Sequence, residues 1–213
     1  MIKNVFFDMG GVVFRQDSEE AFRRFRKAGI DPEVYMGAHG QKEFFLDVET
    51  GAIDADEFCR RMARAVGREE VTWQEAQYCW LGFLHDVPVE RLHYLLELKK
   101  HYHVCLLSNT NPFMMAFTRS KEFSADGLPI SNYFHKQFCS YEMRAYKPNP
   151  DIFLKALATD NLKAEESIFI DDGSKNVMAA EALGFHGLHV TTNEDWTDEL
   201  TKMLQRENNC TEG

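Results

Sequence analysis

Four short segments of this chain carry side chains able to act on a charged substrate. The first is Phe6-Phe7-Asp8-Met9-Gly10-Gly11. A carboxylate closes an apolar run, and two nearby glycines permit a tight turn and close approach of backbone N–H groups to an anion. The second is Leu106-Leu107-Ser108-Asn109-Thr110-Asn111-Pro112. It sets a hydroxyl and several amides at a helix start, where free N–H groups and the helix dipole favour a phosphate. The third is Arg144-Ala145-Tyr146-Lys147-Pro148-Asn149-Pro150. Pro148 restricts Lys147 to extended backbone, and an ammonium held in place can neutralise a phosphate or pair with a carboxylate. The fourth is Ile168-Phe169-Ile170-Asp171-Asp172-Gly173-Ser174. Its adjacent carboxylates repel each other and need a counter-charge, and hard oxygen donors suit Mg²⁺. Taken singly, each segment also has a plain structural explanation: a Gly-Gly turn, a helix cap, a solvated lysine, an Asp-Gly corner.

The elements that must position these residues are visible as well. Five β-branched or aromatic runs stand out: Val5–Phe7, His103–Leu107, Gln137–Cys139, Ser167–Ile170 and Gly187–Thr191. Helical patterns or turn residues bound each run, which predicts βαβ units and a parallel sheet. Ligands bind such sheets outside the carboxyl ends of the strands, where the four segments fall. Pro112 and Pro150 occupy first helical positions, and Gly184 follows Ala179–Leu183 as a stop. Residues 15–88 break the alternation. They hold no convincing strand but three capping-box patterns: Asp17 with Glu20, Asp54 with Glu57, and Thr72 with Glu75. These predict helices over Ser18–Ala28, Ala55–Val66 and Trp73–Leu84, the first two stopped by Gly29 and Gly67. A further helix, Val89–Lys100, opens after Pro88. The expected organisation is a Rossmann-like α/β core over residues 1–14 and 89–213, with a helical subdomain inserted at 15–88. The polar tail after Leu204 is expected to fray.

Composition excludes several classes. The 213 residues are 44% hydrophobic and 27% charged, the balance of a globular chain. Thirty-four acidic residues against 24 Lys plus Arg give a net charge of −10, which speaks against sequence-independent nucleic-acid binding. No apolar run approaches the roughly 20 residues that span a bilayer. The N-terminus runs straight into a strand-like segment without a signal-peptide pattern. The five cysteines are scattered with no CxxC pair, so reduced thiols in a cytoplasmic protein are expected.

The order and spacing of the four segments resemble the haloacid dehalogenase (HAD) superfamily over nearly the whole chain. Leu107-Ser108-Asn109-Thr110-Asn111, Lys147-Pro148 and Phe169-Ile170-Asp171-Asp172 are similar to its sugar-phosphatase branch, typified by bacterial α-D-glucose-1-phosphate phosphatases. The resemblance implies Asp8 as nucleophile with Lys147 as its catalytic partner. It implies phosphate contacts from Ser108, Asn109 and the backbone at Gly10 and Gly11. It implies a Mg²⁺ site formed by Asp8, the Gly10 carbonyl, Asp172 and Asp171. The insertion then corresponds to the family's helical cap, with Arg15 at its hinge and able to reach substrate. One position departs from the pattern: most phosphatases of the superfamily carry an acid–base Asp two residues after the nucleophile, where this chain has Gly10. Loss of such a group costs about 10²–10⁴-fold in rate. The branch named above also carries Gly there and is catalytic.

The resulting expectation is a Mg²⁺-dependent phosphatase, monomeric or homodimeric, for a small phosphorylated metabolite such as a sugar phosphate, with neither nucleic acid nor membrane as partner. Two alternatives stand beside it. A haloacid dehalogenase needs no acid at position 10 but has no use for the acidic pair. A non-catalytic phosphate-binding or regulatory protein is the reading that Gly10 favours. If another residue supplies the missing acid and base, the nearest candidates are Arg15, Gln16, Asp17, His39 and Glu43. His186 and His189 lie three apart on a strand and so face opposite sides. The arginines Arg60, Arg61, Arg64 and Arg68 suit a solvated helix face. Phe44, Phe45, Trp73, Trp80 and Phe83 suit a core, with some lining a pocket. Cys105 suits a buried, inert thiol.

Overall fold

The structure is a computed structural model describing residues 1–37 and 40–209. Five parallel strands form the central sheet in the spatial order Lys136–Cys139, His103–Ser108, Asn4–Phe7, Ser167–Asp171, His186–His189. Asn4–Phe7 is the middle strand. It pairs in register with His103–Leu106 on one side and with Ser167–Ile170 on the other. All four of its residues are buried, so it shows an unbroken apolar run rather than alternation. Its side chains still divide by parity. Val5 and Phe7 pack with Leu106, Ile170 and Trp196 on one face; Phe6 packs with Cys105, Phe169 and Phe185 on the other. The last strand starts at His186 and ends at His189, a little earlier than its sequence pattern suggests. The proline-led helices Pro112–Thr118 and Pro150–Thr159 begin as expected, capped by Asn111 and Asn149.

The helices between the first two sheet strands gather around an apolar cluster of their own. Ser18–Lys27, Ala55–Ala65 and Trp73–Trp80 start where their caps predict. The side chains of Asp17, Asp54 and Thr72 each accept a hydrogen bond from the N–H three residues on. Only Thr72 and Glu75 complete the reciprocal box. Glu20 instead pairs with Arg23 and Arg24, and Glu57 with Arg60, Arg61 and Arg64.

The structure corrects the expectation of a strand-free insertion. Arg15–Gln16 pairs with Leu84–Asp86, and Met36–Gly37 with Gly40–Gln41. The helix from Trp73 ends at Trp80, passes through a tight turn at Leu81–Phe83 and leaves as the strand Leu84–Asp86. That turn packs backbone to backbone, because a Cβ on Gly82 would lie 2.5 Å from Ala21 Cα. Two helices stand outside the expected set: Pro32–Tyr35, a single turn that starts on the Asp31 cap with Pro32 at its first position, and Glu43–Glu49, which has no side-chain cap. The tail is also corrected: Thr197–Asn209 is one helix with Leu200, Met203 and Leu204 buried, and Asn208 Oδ1 accepts from Ile2 N at 3.0 Å. Apolar positions at i, i+3 and i+4 dock it against the core despite its polar composition. Among the described residues no helix is long and apolar enough to cross a membrane.

Phe113 joins the two apolar regions. It belongs to Pro112–Thr118, directly after the Ser108 loop, yet it is fully buried in the cluster of the insertion. Its ring centroid lies 5.3 Å from those of Phe58 and Trp73, and Gln77 Nε2 donates to its carbonyl at 3.1 Å. Phe113→Ala is therefore expected to cost about 3–5 kcal/mol. Denaturant unfolding checks this, and a loss below about 1 kcal/mol would mean the cluster closes over the gap.

Candidate active site

Three loops at the carboxyl edge of the sheet converge on one buried ammonium. Lys147 has a side chain only 1% exposed, with Nζ 2.8 Å from Asp8 Oδ1 and 2.6 Å from Asp171 Oδ2. Asp8 directly follows the middle strand and Asp171 ends its neighbour. Lys147 comes from the loop before Pro150–Thr159. Asn109 fixes that loop through both ends of its amide: Nδ2 donates to the Lys147 carbonyl at 2.9 Å, and Oδ1 accepts from Lys147 N at 2.8 Å. The other oxygen of Asp171 accepts from Gly173 N at 2.7 Å and Asn176 Nδ2 at 3.0 Å. Asp172 sits beside this set, with Thr192 Oγ1 donating to its Oδ2 at 2.7 Å. One carboxylate oxygen each from Asp8, Asp171 and Asp172 lies within 4.8 Å of the others.

Burial pushes the Asp8 carboxyl up to about 7; Lys147 pulls against this, while Asp171 and Asp172 push the same way. Burial also works against the Lys147 charge, but the two carboxylates outweigh it and hold the ammonium above its usual range. Asp172 is raised, chiefly by burial, with the Thr192 hydrogen bond opposing.

A cavity of about 210 Å³ opens above this cluster. Of the residues singled out from sequence, Asp8, Gly10, Ser108, Asn109, Lys147 and Asp172 line it. Three others do not. Asp171 lies beneath, clamped to Lys147. Gly11 underlies Asp172, where a Cβ would stand 2.5 Å from Oδ2. Arg15 points away and pairs with Asp86 at 2.9 Å on the two-strand ribbon. Among the further candidates Gln16 lines the cavity; Asp17 is a helix cap, Glu43 is exposed, and His39 falls outside the described residues, as does Cys210. The arginines on and after the helix Ala55–Ala65 pair with Glu57, Asp47 and Glu75. His186 pairs with Glu207, while His189 Nε2 lies 3.0 Å from the Asp172 carbonyl. Trp80 and Phe83 reach the cavity, whereas Phe44, Phe45 and Trp73 stay in the core of the insertion. Cys105 is inert: burial pushes its thiol up to about 12.

Sequence reading missed Gln41, Glu49 and Tyr146. Glu49 ends the unforeseen helix Glu43–Glu49. Tyr146 Oη donates to its Oε2 at 3.1 Å, and Ser140 Oγ donates to its carbonyl at 2.6 Å. Burial pushes the Glu49 carboxyl up to about 7, against hydrogen bonds from Tyr146, Asn111 and Gln41. Only the place of Tyr146 beside Lys147 could have signalled this group.

A lysine-clamped carboxylate cluster at the switch point of a five-stranded parallel sheet, under a helical insertion, defines a Rossmann-like α/β architecture. The chain belongs to the haloacid dehalogenase-like hydrolase family, whose profile matches residues 2–184. It is 40% identical over 205 residues to a D-ribitol-5-phosphate phosphatase of Bacteroides thetaiotaomicron, covering 96% of this chain and 99% of the relative. Among solved structures it resembles a predicted HAD-like family hydrolase from Porphyromonas gingivalis, with TM-score 0.91, 39% identity, and coverage of 96% and 98%. It also resembles a HAD family enzyme from Bacteroides thetaiotaomicron solved with magnesium and inorganic phosphate, with TM-score 0.87, 32% identity, and coverage of 94% and 99%.

The raised Glu49 carboxyl has a consequence for stability. Its ordinary value is 4.5, and the folded value is about 7. Between these the folded state holds a proton that the unfolded chain has lost, so stability falls as pH rises through that window. The full effect is about 3 kcal/mol. Glu49→Gln removes it. Urea unfolding at pH 4.5 and pH 7.5 should show the variant gaining on the wild type by about that amount at the higher pH. Parallel curves would refute the assignment.

Proposed function

We propose that this chain is a Mg²⁺-dependent phosphatase for a small phosphorylated metabolite, with a sugar or sugar alcohol as leaving group. The observation that carries this is the charge count around Lys147. Three carboxylates stand against one ammonium, leaving the cluster two positive charges short. Hard oxygen donors at this separation fit Mg²⁺, which takes one or two protein carboxylates together with substrate phosphate. Asp8, the Gly10 carbonyl and Asp172 would hold the ion, with Asp171 beside them. When bound it screens the repulsion between the attacking carboxylate and the phosphate oxygens.

The remaining work falls to this chain's own groups. An Asp8 carboxylate oxygen attacks phosphorus in line. The ester P–O bond breaks and its electron pair leaves with the alcohol oxygen, which takes a proton from solvent water, giving an aspartyl phosphate that water then hydrolyses. Lys147 aligns Asp8 and offsets charge on the phosphate, and Asp171 holds Lys147. Ser108 and the backbone N–H groups after Asp8 bind phosphate oxygens. Asn109 keeps the Ser108 and Lys147 loops in register. The helical insertion over residues 15–88 acts as a cap on the cavity, with Arg15 and Asp86 pairing across its hinge. Around the carboxylates the lining is polar, with Gln41, Thr110, Asn111 and Tyr146, and among the described residues its sole cation is Lys147. That suits a neutral, hydroxylated leaving group and disfavours an anionic one. The ribitol-phosphate activity of the relative supports the same class. Buried thiols at Cys59, Cys79, Cys105 and Cys139 suit a reducing cytoplasm.

A dehalogenase would also use Asp8, but Asp172 and the uncompensated charge have no part in halide displacement. Gly10 favours the non-catalytic alternative, and one assay separates all three. Phosphate release from pentitol, pentose, hexose and aryl phosphates is measured with Mg²⁺ or with EDTA, beside halide release from a 2-haloacid. Mg²⁺-dependent turnover of the hydroxylated phosphates, without halide release, is the expected result. Asp8→Asn should lower it by about 10⁴-fold or more while the protein stays folded. A folded variant that keeps a few per cent of activity would sink the covalent route.

A further inference from the structure

No side chain stands at position 10, and the amide of another residue comes right up to that space. A Cβ built on Gly10 would lie 3.2 Å from Gln16 Oε1. Gln16 lines the cavity with Asp8 and Ser108, and its Nε2 is 3.5 Å from Asp172 Oδ2. Its backbone has a rigid mount. Gln16 N donates to Asn193 Oδ1 at 2.7 Å, and the Gln16 carbonyl accepts from Asn193 Nδ2 at 3.0 Å. Asn193 N in turn donates to the Gly11 carbonyl at 2.8 Å. One asparagine therefore ties the Gln16 backbone to the loop that carries Gly10. Such support holds a functional group to its working geometry.

We propose that the Gln16 amide orients the water that hydrolyses the aspartyl phosphate on Asp8, from the space a residue-10 side chain would take. The inference rests on the phosphatase reading above. An amide oxygen accepts a hydrogen bond from water, and the amide NH₂ can donate to a phosphoryl oxygen. The amide is no base at neutral pH, so the step runs without a protein proton carrier. The water oxygen bonds to phosphorus, the P–O bond to Asp8 breaks, and its electron pair returns to the carboxylate. Both water protons leave on the product as H₂PO₄⁻. Gly10 and Gln16 are then complementary, because a larger residue at 10 competes with the glutamine for one volume.

Rapid-quench kinetics with an aryl phosphate and Mg²⁺ test this on the full chain. In Gln16→Ala the burst of phosphoenzyme formation should keep its rate, while hydrolysis of the phosphoenzyme slows by about 10- to 100-fold. Mg²⁺ binding, measured by calorimetry without substrate, should not change. Gly10→Asp alone should not speed hydrolysis, whereas Gly10→Asp with Gln16→Ala frees the space and should restore it. Unchanged hydrolysis in Gln16→Ala overturns the proposal. So does an equal fall in both steps, or a loss of Mg²⁺ affinity large enough to explain the effect. Gly10→Asp matching the double variant overturns the shared volume. A wild-type enzyme that never carries phosphate on Asp8 overturns the phosphatase reading too, which distinguishes the two failures.

Discussion

A buried ammonium survives in this interior only because two carboxylates face it. Lys147 bridges Asp8, 139 residues away in sequence, and Asp171. Taking such a charge out of water costs several kcal/mol, and losing one partner of a buried pair costs about 3–5 kcal/mol. The three loops are thus constrained to meet at one point, and much of the local architecture serves that constraint. Asn109 spans to the Lys147 backbone. Gly173 N and Asn176 occupy the outer oxygen of Asp171, so it cannot turn away. The spatial order of the strands puts Asp8 and Asp171 on adjacent carboxyl ends.

This explains why the centre of the site was legible in sequence and its rim was not. Asp8, Ser108 and Asp171 each sit at the end of an apolar run, and Lys147 precedes a proline-led helix. Strand and helix signals therefore fix their places. Arg15 shows the limit. Its two-residue strand has no periodicity, so nothing local reveals the pairing with Asp86 that turns it from the cavity. Glu49 and Gln41 lie on elements without start signals, and tertiary packing alone sets their places. The tail after Leu204 differs for another reason: residues 205–209 are polar throughout, and only tertiary contacts, such as that of Asn208 with Ile2 N, show that the helix continues through them.

The insertion is not a separate lid resting on the sheet domain. Phe113 is rooted beside Ser108 and buried among Phe58 and Trp73. Ser140 accepts from Thr110 N and donates to the Glu49 carbonyl, while Tyr146, next to Lys147, holds the Glu49 side chain. The same short loops that carry Ser108 and Lys147 thus also fasten the helix that brings Glu49 to the cavity. The insertion and the loops carrying Ser108 and Lys147 therefore share one set of contacts.

Burial, with Asp171 and Asp172 acting the same way, pushes the Asp8 carboxyl up to about 7, the mark of a cluster short of positive charge. Under the phosphatase reading, Asp8 and Asp172 would hold a divalent ion, which would supply the positive charge that Lys147 leaves unfinished and favour the ionised carboxylate. On that reading Asp8 would be prepared by binding rather than by a neighbouring base. A chain organised this way can do without a carboxylate at position 10. Adding one would place a fourth acidic group against a cluster already short of positive charge, tight against the neutral amide of Gln16.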